Sequence, residues 1–174
     1  MAFSPSDLLK ELQSDEIYTQ WKKLHSKSYL SHFFCSINSD FILLTPWDLG
    51  WYDPNDGKIT IFTHLQTGFE IKPADDVFKR DDAKVEELDL NKVKVTLDQA
   101  DKTFQDNKVE LFPKEIFGNG FIILQQFNHQ LIWNITFITH SLKFANLKID
   151  AGNGKILEHN LINFVEKQLG KKPN

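Results

Sequence analysis

A single cysteine, Cys35, stands in the chain, so neither an intramolecular disulfide nor a multi-cysteine metal site is open to it. That favours a reducing compartment without requiring one. Long apolar runs are missing too: stretches such as Phe121 to Leu124 are far shorter than the roughly 20 residues a membrane helix needs. The opening MAFSPSDLLKELQSDE lacks a basic segment followed by an apolar one. No signal peptide and no membrane span are expected, and the expected location is cytoplasmic. Excess positive charge is also absent. Against 24 acidic side chains there are 20 basic ones, a net charge of −4, so a phosphate backbone is repelled on average and nucleic acid is not an expected partner.

Further motifs are missing. His25, His32, His64, His129, His140 and His159 show no i, i+4 helical spacing of a zinc peptidase, so no metal and no cofactor is expected. The glycines of FGNGF, residues 117 to 121, lead into a strand pattern rather than a helix, which excludes a phosphate-cradling loop. Cys35 alternates with Phe33 and Ile37 on an apolar face, where a thiol is inert packing. His32 shares the other face with Phe34 and reads as a packed or rim histidine.

What the chain does have is pattern. With 174 residues, 41% of them hydrophobic, it can build a core without staples. Ser4-Pro5-Ser6-Asp7 caps a helix that carries Leu8, Leu9 and Leu12, and a change of stripe phase near Ser14 predicts a break before Ile17, Tyr18 and Trp21. YLSHFFCSI, FILLTPWDLGWY and KITIFTH then read as strands, with Pro46 marking an edge, a bulge or a strand start. Residues 70 to 89 hold eight acids and four bases and read as a connector lying against the body. A second helix begins at the capping box Thr96-Leu97-Asp98-Gln99 and is expected to end near Asn107, followed by four strands within residues 121 to 161.

Two turns are nearly the same in sequence: YDPNDGKIT at 52 to 60 and IDAGNGKIL at 149 to 157. Asp53 and Asp150, Gly57 and Gly154, Lys58 and Lys155 are each 97 positions apart. Asp, Asn and Gly at these places are turn chemistry, and the missing glutamate at the twelfth position rejects a calcium loop. The constant offset suggests an internal duplication, with differences confined to the loops between helix and sheet.

The helix VTLDQA, the strand IWNITF and the ending LKIDAGNGKIL resemble the PepSY module over roughly residues 92 to 165. WDLGWYDPNDGKITIF and EIFGNGFIILQQ are similar to uncharacterised PepSY-like proteins of archaea. The resemblance implies an α+β protein of two PepSY-like units, each a helix packed on a curved antiparallel sheet. The expected divisions are 1–69 for the first unit, 70–91 for the connector and 92–174 for the second. It also implies binding of a protein or peptide, as in propeptides of thermolysin-type peptidases, although no peptidase is attached here.

The expected function is therefore a non-enzymatic module that recognises a protein or peptide through a sheet face or an edge strand. Its polar contacts would be Asn134, Thr136 and His140 on the strand face opposite Leu131, Trp133, Ile135 and Phe137, with Gln126 from the neighbouring strand. The rival is a small-ligand protein or enzyme with a cavity on the concave sheet face, using His140 with Asp150 or Asn134 as base and orienter. A third reading is a homodimer formed through an uncovered edge strand.

Overall fold

The computed structural model describes residues 3–76 and 84–163. The chain opens with α1, Pro5–Ser14, where the Ser4 hydroxyl accepts from the Asp7 amide at 3.2 Å. Asp15 is extended and ends that helix, and its carboxylate accepts from the Ile17 amide at 2.9 Å, which starts α2, Glu16–Leu24. The break foreseen near Ser14 is thus one residue serving both helices.

Four strands follow: β1 at Tyr29–Ile37, β2 at Asp48–Asp53, β3 at Lys58–Leu65 and β4 at Gly68–Asp76. Residues 41 to 46, read as strand unless the strand begins after Pro46, form a loop, and β2 begins at Asp48. Phe41 takes a φ of 58°, and the Asn38 side chain accepts from the Asp40 and Ile42 amides, so the backbone there turns on itself. β4 lies where the sequence reads as connector, and it carries the expected boundary at 69 inside it. Phe69 and Ile71 pack against the core in alternation with Glu70 and Lys72, Pro73 then breaks the pattern, and the strand pairs on one side only, with β3. Part of the expected connector, residues 77–83, lies outside the described residues.

After a short 3-10 turn at Leu90–Lys92 comes α3, Leu97–Leu111, longer than its expected end near Asn107. Its capping box forms in both directions: Gln99 N donates to Thr96 Oγ1 at 3.2 Å, and Thr96 N to Gln99 Oε1 at 2.8 Å. The remaining strands are β5 at Phe117–Phe127, β6 at Gln130–Thr139, β7 at Lys143–Asp150 and β8 at Ile156–Asn163.

The fold is α+β. Among the described residues three α-helices accompany one eight-stranded sheet, of order β4-β3-β2-β1-β5-β6-β7-β8, with every neighbouring pair antiparallel. Each run of four strands is a meander, and the runs meet where β1 pairs with β5, from His32 against Gln125 to Ile37 against Gly120. A single apolar cluster crosses that seam. It joins Leu12 and Tyr18 of the first helices to Ala100 and Phe104 of α3 through Leu49, Phe33, Leu124 and Trp133. Phe104 lies 4.8 Å from Phe137, and Tyr18 lies 5.0 Å from Trp51. The three helices therefore cover one face of the sheet. No helix among the described residues is long and apolar enough to cross a membrane.

The two similar turns share their geometry. Gly57 N donates to Asp53 O at 2.9 Å, and Gly154 N to Asp150 O at 2.8 Å. Lys58 N and Lys155 N each donate, at 2.9 Å, to the side chain two residues before. Their places in the topology differ. The first joins the second and third strands of its meander, and the other joins the third and fourth of its own. The offset of 97 thus sets β2 on β7 and β3 on β8, strands of different rank in their two meanders, and Asp, Asn and Gly meet the same backbone demand at both turns.

Candidate functional site

The face away from the helices is the candidate site. Alternation and register put His32, Phe34 and Ser36 of β1 on it, then Phe121, Ile123 and Gln125 of β5. β6 adds Asn134, Thr136 and Ile138, and β7 adds Asn146 and Lys148. Phe34 and Phe121 stack across the central seam with centroids 5.8 Å apart and planes at 27°. Beside them Asn146 Nδ2 donates to Asn134 Oδ1 at 2.6 Å and to Thr136 Oγ1 at 2.9 Å. That amide fixes the orientation of both β6 side chains. Two ion pairs flank the face, Lys72 with Asp48 at 3.2 Å on one side and Lys148 with Glu158 at 2.6 Å on the other. Each flank is neutral, so the face has an apolar centre with a fixed polar row.

Of the expected contact residues, the structure brings Asn134 and Thr136 together and separates the other two. Gln126 pairs with Leu131 and so lies on the helix-covered side, opposite Asn134. The cause is the two-residue turn at Asn128 and His129, with φ of 48° and 61°, which sets Phe127 against Gln130 and fixes the pairs from there to Gly120 against Phe137. His140 is exposed just past the end of β6, and its amide donates to Ile116 O at 2.9 Å. Asp150 sits opposite Ile132 at the other end, about 25 Å from His140 at the usual strand rise. Asp150 is also occupied, accepting from the Gly152 amide at 2.7 Å and the Asn153 amide at 3.0 Å. The His140 and Asp150 pair is therefore not assembled.

Three arrangements were not foreseen. His32 lies flat over Gly50, its partner on β2, so closely that a Cβ there would sit 2.1 Å from His32 Cε1. Ser31 Oγ donates to Gly50 O at 3.0 Å, which leaves its lone pairs to accept from His32 Nδ1 at 2.8 Å. Burial lowers the His32 pKa to about 4, so the ring is neutral near pH 7. Second, His25 Nδ1 meets Asp53 Oδ2 at 2.8 Å while the ring stacks 4.4 Å from Trp21. Asp53 is held below the usual carboxylate range, first by the Asn55 amide it accepts and then by His25. The turn residue thus also anchors the C-terminus of α2.

The third is a cleft of about 830 Å³ on the helix side, between α1, α2 and residues 87–92, lined by Tyr18, Lys22, Ser28, Tyr29, Trp51 and Glu87 among others. Three of its polar groups, Lys22, Ser28 and Tyr29, bond to the protein itself. Lys22 Nζ donates to Ser28 O at 2.5 Å, Ser28 Oγ at 2.9 Å and Ser26 O at 3.3 Å, and lies 5.2 Å above the Trp51 ring. Tyr29 donates its hydroxyl to Val85 O at 2.7 Å, tying residue 85 to β1. The residues of the rival proposal, His140, Asn134 and Asp150, do not line this cleft.

Comparison with known proteins gives little to set beside this geometry. No family model matches the chain, and no curated protein does. Among solved structures, the "putative lipoprotein" of Clostridium difficile 630 is similar at 15% identity and a TM-score of 0.48, over 84% of this chain and 90% of that one. A likeness of that degree carries no argument about function.

Proposed function

We propose that the protein is a non-catalytic binding module built from two PepSY-like units, which recognises a protein or peptide through the uncovered sheet face. One observation carries the reading. The Phe34 and Phe121 pair, Ile123 and the 46% exposed Ile138 form an apolar surface beside a hydrogen-bonded polar row, on the face opposite the helices. Surface of this kind costs solvation free energy that a partner recovers on docking. The fitting partner presents apolar side chains with a few hydrogen-bonding groups and little net charge, since the flanking lysines are already paired with acids. The unit assignment rests on the residues that resemble PepSY and on the repeated order of helix and four-stranded meander, not on the 97-residue offset. A cytoplasmic setting belongs to the same proposal and rests on the single cysteine.

The test is affinity capture with the full chain beside Phe34→Asp and Ile138→Asp variants of matched thermal stability. The reading expects a protein retained by the parent and lost from both variants. Retention unchanged by either substitution, or no retained protein under gentle conditions, rejects it.

A further inference from the structure

The two edges of the sheet are unequal. On β4, the edge is interrupted by Pro73, which has no N–H, and the β3 pairing shifts register between Ile59 and Ile61. On β8 no proline or lysine breaks the run ILEHNLI at 156 to 162. Its one acid, Glu158, is held by Lys148 at 2.6 Å and Asn160 at 2.8 Å. The one pairing irregularity there falls at Leu157, between Glu158 opposite Lys148 and Ile156 opposite Ile149. Yet Leu161 and Ile162 are 40% and 39% exposed, and no described strand pairs with the outer side of β8. An edge with hydrophobic side chains and unpaired backbone groups is a template for another strand.

The sequence of that strand says which one. Read outward from His159, it matches itself at Glu158 with Asn160 and at Leu157 with Leu161. A two-fold contact brings residue i of one copy against residue j of the other and j against i, so it requires this kind of self-complementarity. We propose that the chain forms a homodimer in which β8 of one copy pairs antiparallel with β8 of a second, centred on His159. Leucine then meets leucine on the helix side, and the Asn160 amide meets the partner copy's Glu158 carboxylate on the other. The eight strands of each copy become one continuous sheet. This concerns the edge and does not rest on the function proposed for the face.

Sedimentation equilibrium of the full chain from about 1 to about 100 µM tests it by mass action. The expected mass approaches twice the 20.2 kDa of one chain. Leu161→Lys places a charge opposite Leu157 of the second copy and is expected to weaken association by about tenfold or more, with the circular dichroism spectrum unchanged. Register is read by mild oxidation. His159→Cys should cross-link two copies, since facing Cβ atoms lie about 5 Å apart, while Lys155→Cys, about 25 Å from its mate, should not. Cys35 is fully buried and does not compete. A monomer over the whole range, a dimer indifferent to Leu161→Lys, or equal cross-linking at the two positions overturns the proposal.

Discussion

The contact of His32 with Gly50 makes the sharpest test of how this sheet face is built. All three nearest atoms to a Cβ added at Gly50 belong to the His32 ring, at 2.1, 2.5 and 2.8 Å, so Gly50→Ala must push the ring off the face. Displacing a packed side chain costs about 1–3 kcal/mol. Breaking the bond from Nδ1 to Ser31 Oγ adds about 1 kcal/mol, giving an expected loss of about 3 kcal/mol. With His32→Ala already in place, those three ring contacts are gone. There it should stabilise the strand by about 0.5–1 kcal/mol, because glycine loses more backbone freedom on folding. The coupling between the two sites is then about 3 kcal/mol or more. Urea unfolding of the four proteins, followed by tryptophan fluorescence, measures it directly. Effects that add to within about 0.5 kcal/mol would refute the placement of the ring over Gly50.

Two other predictions concern pH and turns. Because His32 has a folded pKa of about 4 against 6.5 when free, the unfolded chain binds more protons between those values. Stability should therefore fall as pH drops from 6.5 towards 4, by about 2–3 kcal/mol, and His32→Ala should flatten that limb in urea titrations at stepped pH. Gly57 and Gly154 have φ of 72° and 81°, so alanine at either should cost about 1–2 kcal/mol, and similar losses would be expected from their shared turn geometry. A thermal melt that leaves either variant unchanged would contradict that account.

Much of the fold was legible where its cause is local. Ser4-Pro5 and Thr96-Gln99 announce helices because capping involves residues three apart. Leu49 with Trp51, and Trp133, Ile135 and Phe137, show their buried faces by simple alternation. β4 was hidden because an edge strand with charges and Pro73 has the composition of a linker. Loop 41 to 46 was open to a strand reading because its apolar residues, including the 59% exposed Ile42, imitate one. Of the expected contact residues, Asn134 and Thr136 were placed correctly relative to each other, since they share one strand. Gln126 was not, since its face depends on how two strands register through Asn128 and His129.

The sequence by itself determined where helices start, which strand faces are apolar, and the chemistry of the two Asp-to-Gly turns. Only the tertiary structure decided that β1 lies against β5, that one core spans both meanders, and that the described helices all lie on one face. It also decided the partners of individual side chains: His32 over Gly50, and His25 on Asp53. The physical reason is range. Capping and alternation act over a few residues, whereas pairing His32 with Gln125 brings distant parts of the chain together through packing that no local pattern records.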